Sequence, residues 1–305
     1  MKRMVSLSIL SVLIIAASLV IAQPPASTEK DVVSSKGHAT VFLPASAIEV
    51  APGVFSLGTA VDADSGKVVA GYVFVRYKED PKKNNAKWVC GNGICEAGEN
   101  ANKCPADCGG GATTTTVPSS TSSCYGFLAT DAKWKTVEPY VVNPSNADGL
   151  TSDFVTSNLA ADIAKWEAAA STDILGAGSS TTDVLVADMV STDGQNEVYF
   201  ADISDSGAIG VTIVWGIFRG PPFARELVEW DQVYDDADFD WSASGEAGKM
   251  DFENIATHEL GHSVGLGDLY DVLCSEMTMY GYASNGETKK RDLADGDING
   301  VQQLY

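Results

Sequence analysis

The run from His258 to Asp268, His-Glu-Leu-Gly-His-Ser-Val-Gly-Leu-Gly-Asp, constrains the fold of this chain more than any other stretch. On a helix, His258 and His262 lie one turn apart on the same face, so both imidazoles can reach one metal ion. Gly265 can adopt the positive φ that ends a helix and turns the chain back. The run therefore predicts a helix, a glycine turn and the return of Asp268 to the same metal.

The residue types in this run are those of a catalytic zinc site. The chain has three histidines, His38, His258 and His262, so a carboxylate, Asp268, is the candidate third ligand beside the last two. Glu259 can lie beside a metal-bound water as general base. The alternative is an ordinary amphipathic helix with two surface histidines. The added Gly265 and Asp268 make that coincidence improbable. Only His38, far away near the N-terminus, could supply a third imidazole, and such a contact would be inhibitory rather than part of the mature site.

The N-terminus has the organisation of a signal peptide. A basic start is followed by an apolar run over residues 5–21, and small residues close it, so we expect cleavage after residue 22 and a secreted or cell-surface protein. The alternative is an uncleaved membrane anchor, and membrane association is expected only in that case. Residues 23–38 are polar and without an apolar period, and we interpret them as a mobile leader.

The net charge of −21 limits the classes of partner. Nucleic acid is not expected, because neutralising a phosphate backbone needs clustered Lys and Arg. The acidic loop from Asp235 to Asp240 could bind structural Ca²⁺ through carboxylate and carbonyl oxygens, or it could be a solvated surface that aids solubility.

Three further segments precede the main domain. Residues 39–89 contain β-rich runs and predict a small β module, which could rest on the next module or act as a pro-segment. Residues 90–108 hold four cysteines and little apolar content, which predicts a disulfide-rich knot. Residues 109–123 are rich in Gly, Thr and Ser and are typical of a flexible linker.

Residues 124–305 predict one α+β domain, with strands first, then the motif helix, then a short tail. An amphipathic helix is expected over residues 152–170 and the motif helix over residues 251–265. The expected strands cover residues 136–142, 184–186, 198–200, 209–215 and 226–233.

The motif, a downstream methionine in the segment from Cys274 to Tyr282, and the C-terminal segment 292–305 together resemble the metzincins, and among them the secreted matrixin type. The resemblance implies a metzincin-type catalytic domain with a twisted mixed sheet, an active-site helix, a methionine turn and a C-terminal helix. It implies a Zn²⁺ endopeptidase acting on protein or peptide substrates, with Glu259 as general base. Met279 is the better candidate for the methionine turn, because Tyr280 follows it directly, and Met277 is the second candidate. The substrate is expected to add to an edge strand near residues 209–215.

The chain departs from the matrixin pattern in two respects. Asp268 replaces the usual third histidine, and no Pro-Arg-Cys-Gly-like string is present to block the zinc in a latent form. The six cysteines pair most simply as two bridges within residues 90–108 and one between Cys124 and Cys274, although the sequence does not fix the connectivity. We expect a monomer. The rival function is a catalytically inactive metzincin-like scaffold for surface binding or adhesion.

Overall fold

A mixed β-sheet with helices packed on one face runs through the computed structural model, which describes residues 40–78 and 123–305. The helices are α1 (Ser152–Ala170), α2 (Phe252–Ser263) and α3 (Asp295–Leu304). The predicted signal peptide, leader and disulfide-rich knot, and almost all of the linker, lie outside the described residues. No helix in the two described ranges combines the length and the apolar character that crossing a membrane requires.

The strands of the described chain divide between one large sheet and one short pair. They are β1 (Thr40–Val41), β2 (Ile48–Ala51), β3 (Val54–Val61), β4 (Val68–Lys78), β5 (Tyr140–Asn143), β6 (Gly178–Ser180), β7 (Asn196–Ile203), β8 (Ala208–Ile217), β9 (Glu226–Asp235), β10 (Trp241–Ser242), β11 (Met250–Asp251) and β12 (Tyr282–Ala283). In the large sheet the order is β2-β3-β4-β8-β9-β7-β5-β6, with β1 beside β7 and β12 beside β4. Strands β5, β6, β7 and β9 are parallel, and β8 is antiparallel to both of its neighbours. The α+β class is therefore confirmed.

The sheet is buried on both faces, because apolar residues alternate between two cores. Phe74 and Val214 point to the core beneath α1 and α2, whereas Val73 and Ile213 belong to a second cluster on the opposite face. Strand β8 is buried along nearly its whole length. A strand covered on both faces reads as a continuous apolar run, which explains the lack of clean alternation in residues 208–217.

The predicted β module does not form a sheet of its own among the described residues. β4 pairs antiparallel with β8 from Ala70 opposite Gly216 to Tyr77 opposite Ala208, so β2, β3 and β4 extend the sheet of the C-terminal region. The expectation that residues 209–215 form an edge strand is therefore wrong for the described chain. The sequence of β8 could not show that it has two neighbours, because whether a strand lies at an edge depends on the other strands of the sheet.

Helix α1 has the bounds that the sequence predicted, and its termini show why. Thr151 accepts a hydrogen bond from the N–H of Phe154, and Ser171 adopts the left-handed conformation that ends the helix. By contrast, the strand expected at residues 184–186 is absent. Val184 and Val186 are 81% and 66% exposed in a loop before β7, because their apolar character is not matched by a partner strand.

The predicted bridge between Cys124 and Cys274 is confirmed, with the two Cα atoms 5.6 Å apart. It ties the start of the C-terminal region to a short turn, Val272–Cys274, that precedes Met277. The bridge spans 150 residues of chain, so it restricts the unfolded state strongly.

Replacing both residues, Cys124→Ser with Cys274→Ser, should lower the free energy of unfolding by about 3–5 kcal/mol, because the cross-link no longer limits the unfolded chain. Denaturant unfolding of the oxidised parent and the double variant measures the difference. Equal transition midpoints for the two proteins would contradict this prediction.

Candidate metal centre

The motif helix α2 lies in the interior of the domain, and only Glu253 among its residues is not buried. Its first turn is capped by Asp251, whose carboxylate accepts the N–H of Asn254 at 3.1 Å. Trp166 of α1 donates its indole N–H to the carbonyl of Thr257 at 2.9 Å, which fixes α1 against α2. Because the helix is enclosed, its polar side chains must find partners within the protein.

Gly265 ends the helix and reverses the chain as the sequence predicted. Its φ is 107°, and a Cβ there would approach the Ala132 carbonyl oxygen to 3.1 Å. The N–H of Leu266 then donates to the carbonyl of Gly261 at 2.8 Å, which closes the last turn. The same reversal brings the carbonyl of Leu266 to within 2.9 Å of Nδ1 of His262.

Both histidines are held in the tautomer that leaves Nε2 without a proton. Nδ1 of His258 lies 2.6 Å from the carbonyl oxygen of Thr278, and Nδ1 of His262 faces the Leu266 carbonyl. Since a carbonyl oxygen only accepts, Nδ1 must carry the proton in each ring. Burial, reinforced by a nearby guanidinium, lowers the pKa of His258 to about 3, and burial also lowers the pKa of His262. Both imidazoles are therefore neutral, with Nε2 lone pairs available to a cation.

Asp268 returns to the two histidines. Its Oδ1 lies 3.2 Å from Nε2 of His258 and 3.7 Å from Nε2 of His262, and its side chain is 4% exposed. Two ligand atoms of a tetrahedral zinc ion, each about 2.0–2.1 Å from the metal, are about 3.4 Å apart. Burial would raise the pKa of Asp268, but the imidazoles and the guanidinium lower it to about 2. Three acceptor atoms thus converge without a proton between them, and this donor set fits zinc.

Glu259 is the next residue of α2, and its carboxyl is close enough to Arg76 and Asp268 to interact with their charges. Thr212 of β8 donates to Oε2 at 2.6 Å, while Oε1 is buried without a hydrogen-bond partner in the described structure. Burial raises the pKa of Glu259 to about 8, and Thr212 is among the groups that oppose the shift. Thr212 is a residue that the sequence analysis missed, since a threonine in a buried strand carries no signal of its own.

The turn after Cys274 lies directly beneath α2. Met279 is 1% exposed and its sulfur packs against the Cα of Gly261. Asp297 of α3 accepts the backbone N–H groups of Thr278 and Met279 at 2.8 and 3.1 Å. The carboxylate therefore fixes the segment whose Thr278 carbonyl orients His258.

Arg76 of β4 enters the site from the N-terminal range, and the sequence analysis did not identify it. Its Nη1 lies 2.7 Å from Nδ1 and 2.8 Å from Nε2 of His258, and only Nε2 has a free lone pair. The side chain also donates to the carbonyls of Tyr280 and Tyr282. The signal for it was a charged residue directly after the apolar run of residues 68–75.

Two further acidic clusters lie in the described structure, away from the histidines. Asp202, Asp235 and Asp238 form one, and Asp188, Glu229 and Asp231 form the other. Asp235 belongs to the loop predicted to bind Ca²⁺, but its carboxylate already accepts three backbone N–H groups. Calcium therefore stays a prediction.

The region around α2 is similar to a known protein family. Residues 224–305 match the family model described as Matrixin. The matched region is therefore matrixin-like. The matched region contains His258, Glu259, His262 and Asp268, together with Met279 beneath them.

The individual relatives cover the same part of the chain. Metalloendoproteinase 1 of Glycine max is 40% identical over 76 residues, which are 23% of this chain and 24% of the relative. Metalloendoproteinase 2-MMP of Arabidopsis thaliana is 36% identical over 77 residues (23% and 19%), and Matrilysin of Homo sapiens is 39% identical over 74 residues (23% and 26%). The match thus spans about a quarter of each relative or less.

The packing of Met279 against the matrixin-like helix yields a prediction. A Cβ at position 261 would collide with the Met279 sulfur and lie 2.9 Å from the Trp166 ring, so Gly261→Ala should lower the free energy of unfolding by about 1–3 kcal/mol. Gly126→Ala is the matched control, because its nearest neighbour would be 3.9 Å away. Thermal unfolding of both variants measures the effect, and an unchanged Gly261→Ala midpoint would contradict it.

Proposed function

We propose that this protein is an exported zinc-dependent endopeptidase. The observation that carries the proposal is the convergence of three buried acceptors, Nε2 of His258, Nε2 of His262 and Oδ1 of Asp268, beside the partnerless Oε1 of Glu259. Lone pairs that face one another in a buried space require a cation between them. A neutral imidazole pair and one carboxylate are a donor set that suits zinc.

When bound, zinc supplies Lewis acidity, which polarises a scissile carbonyl and lowers the pKa of water toward about 7. Glu259 is the group that moves protons. Its Oε2 is held by Thr212, so Oε1 has a fixed position from which to accept the proton of an attacking water. The same carboxyl then donates that proton to the leaving amine. His258, His262 and Asp268 would hold the metal, and their backbone carbonyl partners keep Nε2 of each ring aimed at it.

Protein or peptide substrates are proposed from the family match, since the relatives are named as metalloendoproteinases. Export is proposed from the N-terminal sequence, and the Cys124–Cys274 bridge supports it because disulfides persist in oxidising compartments. The retained Glu259 disfavours the rival binding-only function. A zinc site that only binds has no use for a buried carboxylate with a free oxygen next to its first ligand.

Glu259→Gln should lower the rate of peptide hydrolysis at least about 100-fold, because the amide cannot accept the proton of the attacking water. The variant should keep one zinc per chain. Glu246→Gln, on an exposed loop, is the matched control and should leave both properties unchanged. His258→Ala should lose the zinc. Turnover of a fluorogenic peptide library and metal analysis of purified protein provide the two measurements.

Equal turnover above background by the parent and Glu259→Gln, or by the same pair with the change at Arg76 described below, would remove the proposed mechanism. Zinc that persists in His258→Ala would show that the metal is held elsewhere. A folded chain that binds zinc at His258 but hydrolyses no peptide, with and without the change at Arg76 described below, would favour the adhesion function.

A further inference from the structure

The peptide slot, the position beside β8 where an added strand could pair, is occupied by β4. β4 lies antiparallel to β8 on one side, and its end is parallel to β12 on the other, where Tyr77 pairs with Tyr282. Phe74 of β4 stands opposite Thr212, the residue that holds Glu259. An extended peptide that pairs with β8 next to Glu259 would need the position that β4 occupies.

Arg76 supplies the positive charge that the converging acceptors require. It is 2% exposed, and its guanidinium is placed against Nε2 of His258 with Glu259 and Asp268 nearby. A buried arginine is costly unless acceptors surround it, and here the acceptors are the carbonyls of Tyr280 and Tyr282 and Nε2 of His258, a proposed zinc ligand. Arg76 and a zinc ion therefore compete for the same lone pair.

Two more contacts from the N-terminal range close over the site. The ring of Phe74 stacks on His262, with centroids 4.4 Å apart and planes inclined by 21°. The hydroxyl of Tyr270 lies 2.8 Å from the carbonyl oxygen of Pro52 and 3.3 Å from Oδ2 of Asp268. Each of the three acceptor residues is thus covered by residues 40–78 or by a side chain bonded to them.

The pairing of β4 with β8 is irregular next to Arg76. Its register on β8 is regular until Arg76, opposite Gly210, and shifts before Tyr77, opposite Ala208. A register shift of this kind redirects a side chain relative to a regular strand. Arg76 is the residue at the shift, and its side chain is the one that enters the site.

We infer that residues 40–78 are a built-in inhibitor, in which β4 occupies the peptide slot on β8 and Arg76 takes the place of the metal at His258. The inference rests on the proposed peptidase function. It gives this chain a means of latency that needs no cysteine, since the blocking group is a guanidinium. Activity then requires that β4 leave β8.

The test compares the full-length parent with Arg76→Ala and with Lys78→Ala, which removes the same charge from the exposed end of the same strand. Zinc affinity is measured by competition with a chromophoric chelator, and access to the site by titration of the zinc-loaded proteins with a tripeptide hydroxamate. Arg76→Ala should bind zinc at least about tenfold more tightly, because a charge next to the metal is gone. Lys78→Ala should match the parent.

A second experiment removes residues 40–78 as a whole and so does not depend on one side chain. A recognition sequence for a site-specific protease is placed between residues 79 and 122, and the cut protein is diluted. Hydroxamate binding and peptide hydrolysis should both rise by at least about tenfold as residues 40–78 dissociate, whereas the uncut protein stays unchanged.

The outcomes separate the two proposals. Equal zinc and hydroxamate affinities in the parent, Arg76→Ala and the cut form would overturn the inhibitor, even if all three hydrolyse peptides. Rising affinities with no hydrolysis in any form would retain the inhibitor and remove the peptidase function.

Discussion

The burial of α2 is the constraint on which the rest of the structure depends. A helix with two histidines and a glutamate is enclosed by the sheet on one side and by α1 on another, so water cannot satisfy its polar atoms. The carbonyls of Thr278 and Leu266 and the hydroxyl of Thr212 satisfy part of them. Oε1 of Glu259 has no partner, and Nε2 of each histidine faces Asp268, with Arg76 against that of His258. These acceptor atoms are the ones that can bind a cation.

The surrounding elements are arranged around this requirement. Asp297 binds the segment from Thr278 to Met279, and that segment orients His258 and fills the space under Gly261. The Cys124–Cys274 bridge holds the turn before the same segment. Each contact acts through the backbone of the segment from Cys274 to Met279, so the position of His258 depends on parts of the chain that do not touch the proposed metal site.

Local patterns predicted much of the fold. α1 could be predicted with its observed bounds because its apolar period and its cap residue, Thr151, are adjacent in sequence. The positive φ of Gly265 followed from the residue type and its place after the helix. The strand expected at residues 184–186 failed, because apolar residues make a strand only where a neighbour accepts their hydrogen bonds. The expected edge position of β8 failed for a related reason, since β4 comes from more than 130 residues earlier.

By itself, the sequence determined the candidate residues of the site: His258, Glu259, His262 and Asp268 lie within eleven positions, where helix geometry and one glycine bring them together. The tertiary structure alone decided what surrounds them. Thr212 reaches Glu259 and Arg76 reaches His258 only because distant strands pair in one sheet. Short-range periodicity specifies which side chains share a helix face, whereas the partner across a sheet depends on a register that no single segment encodes.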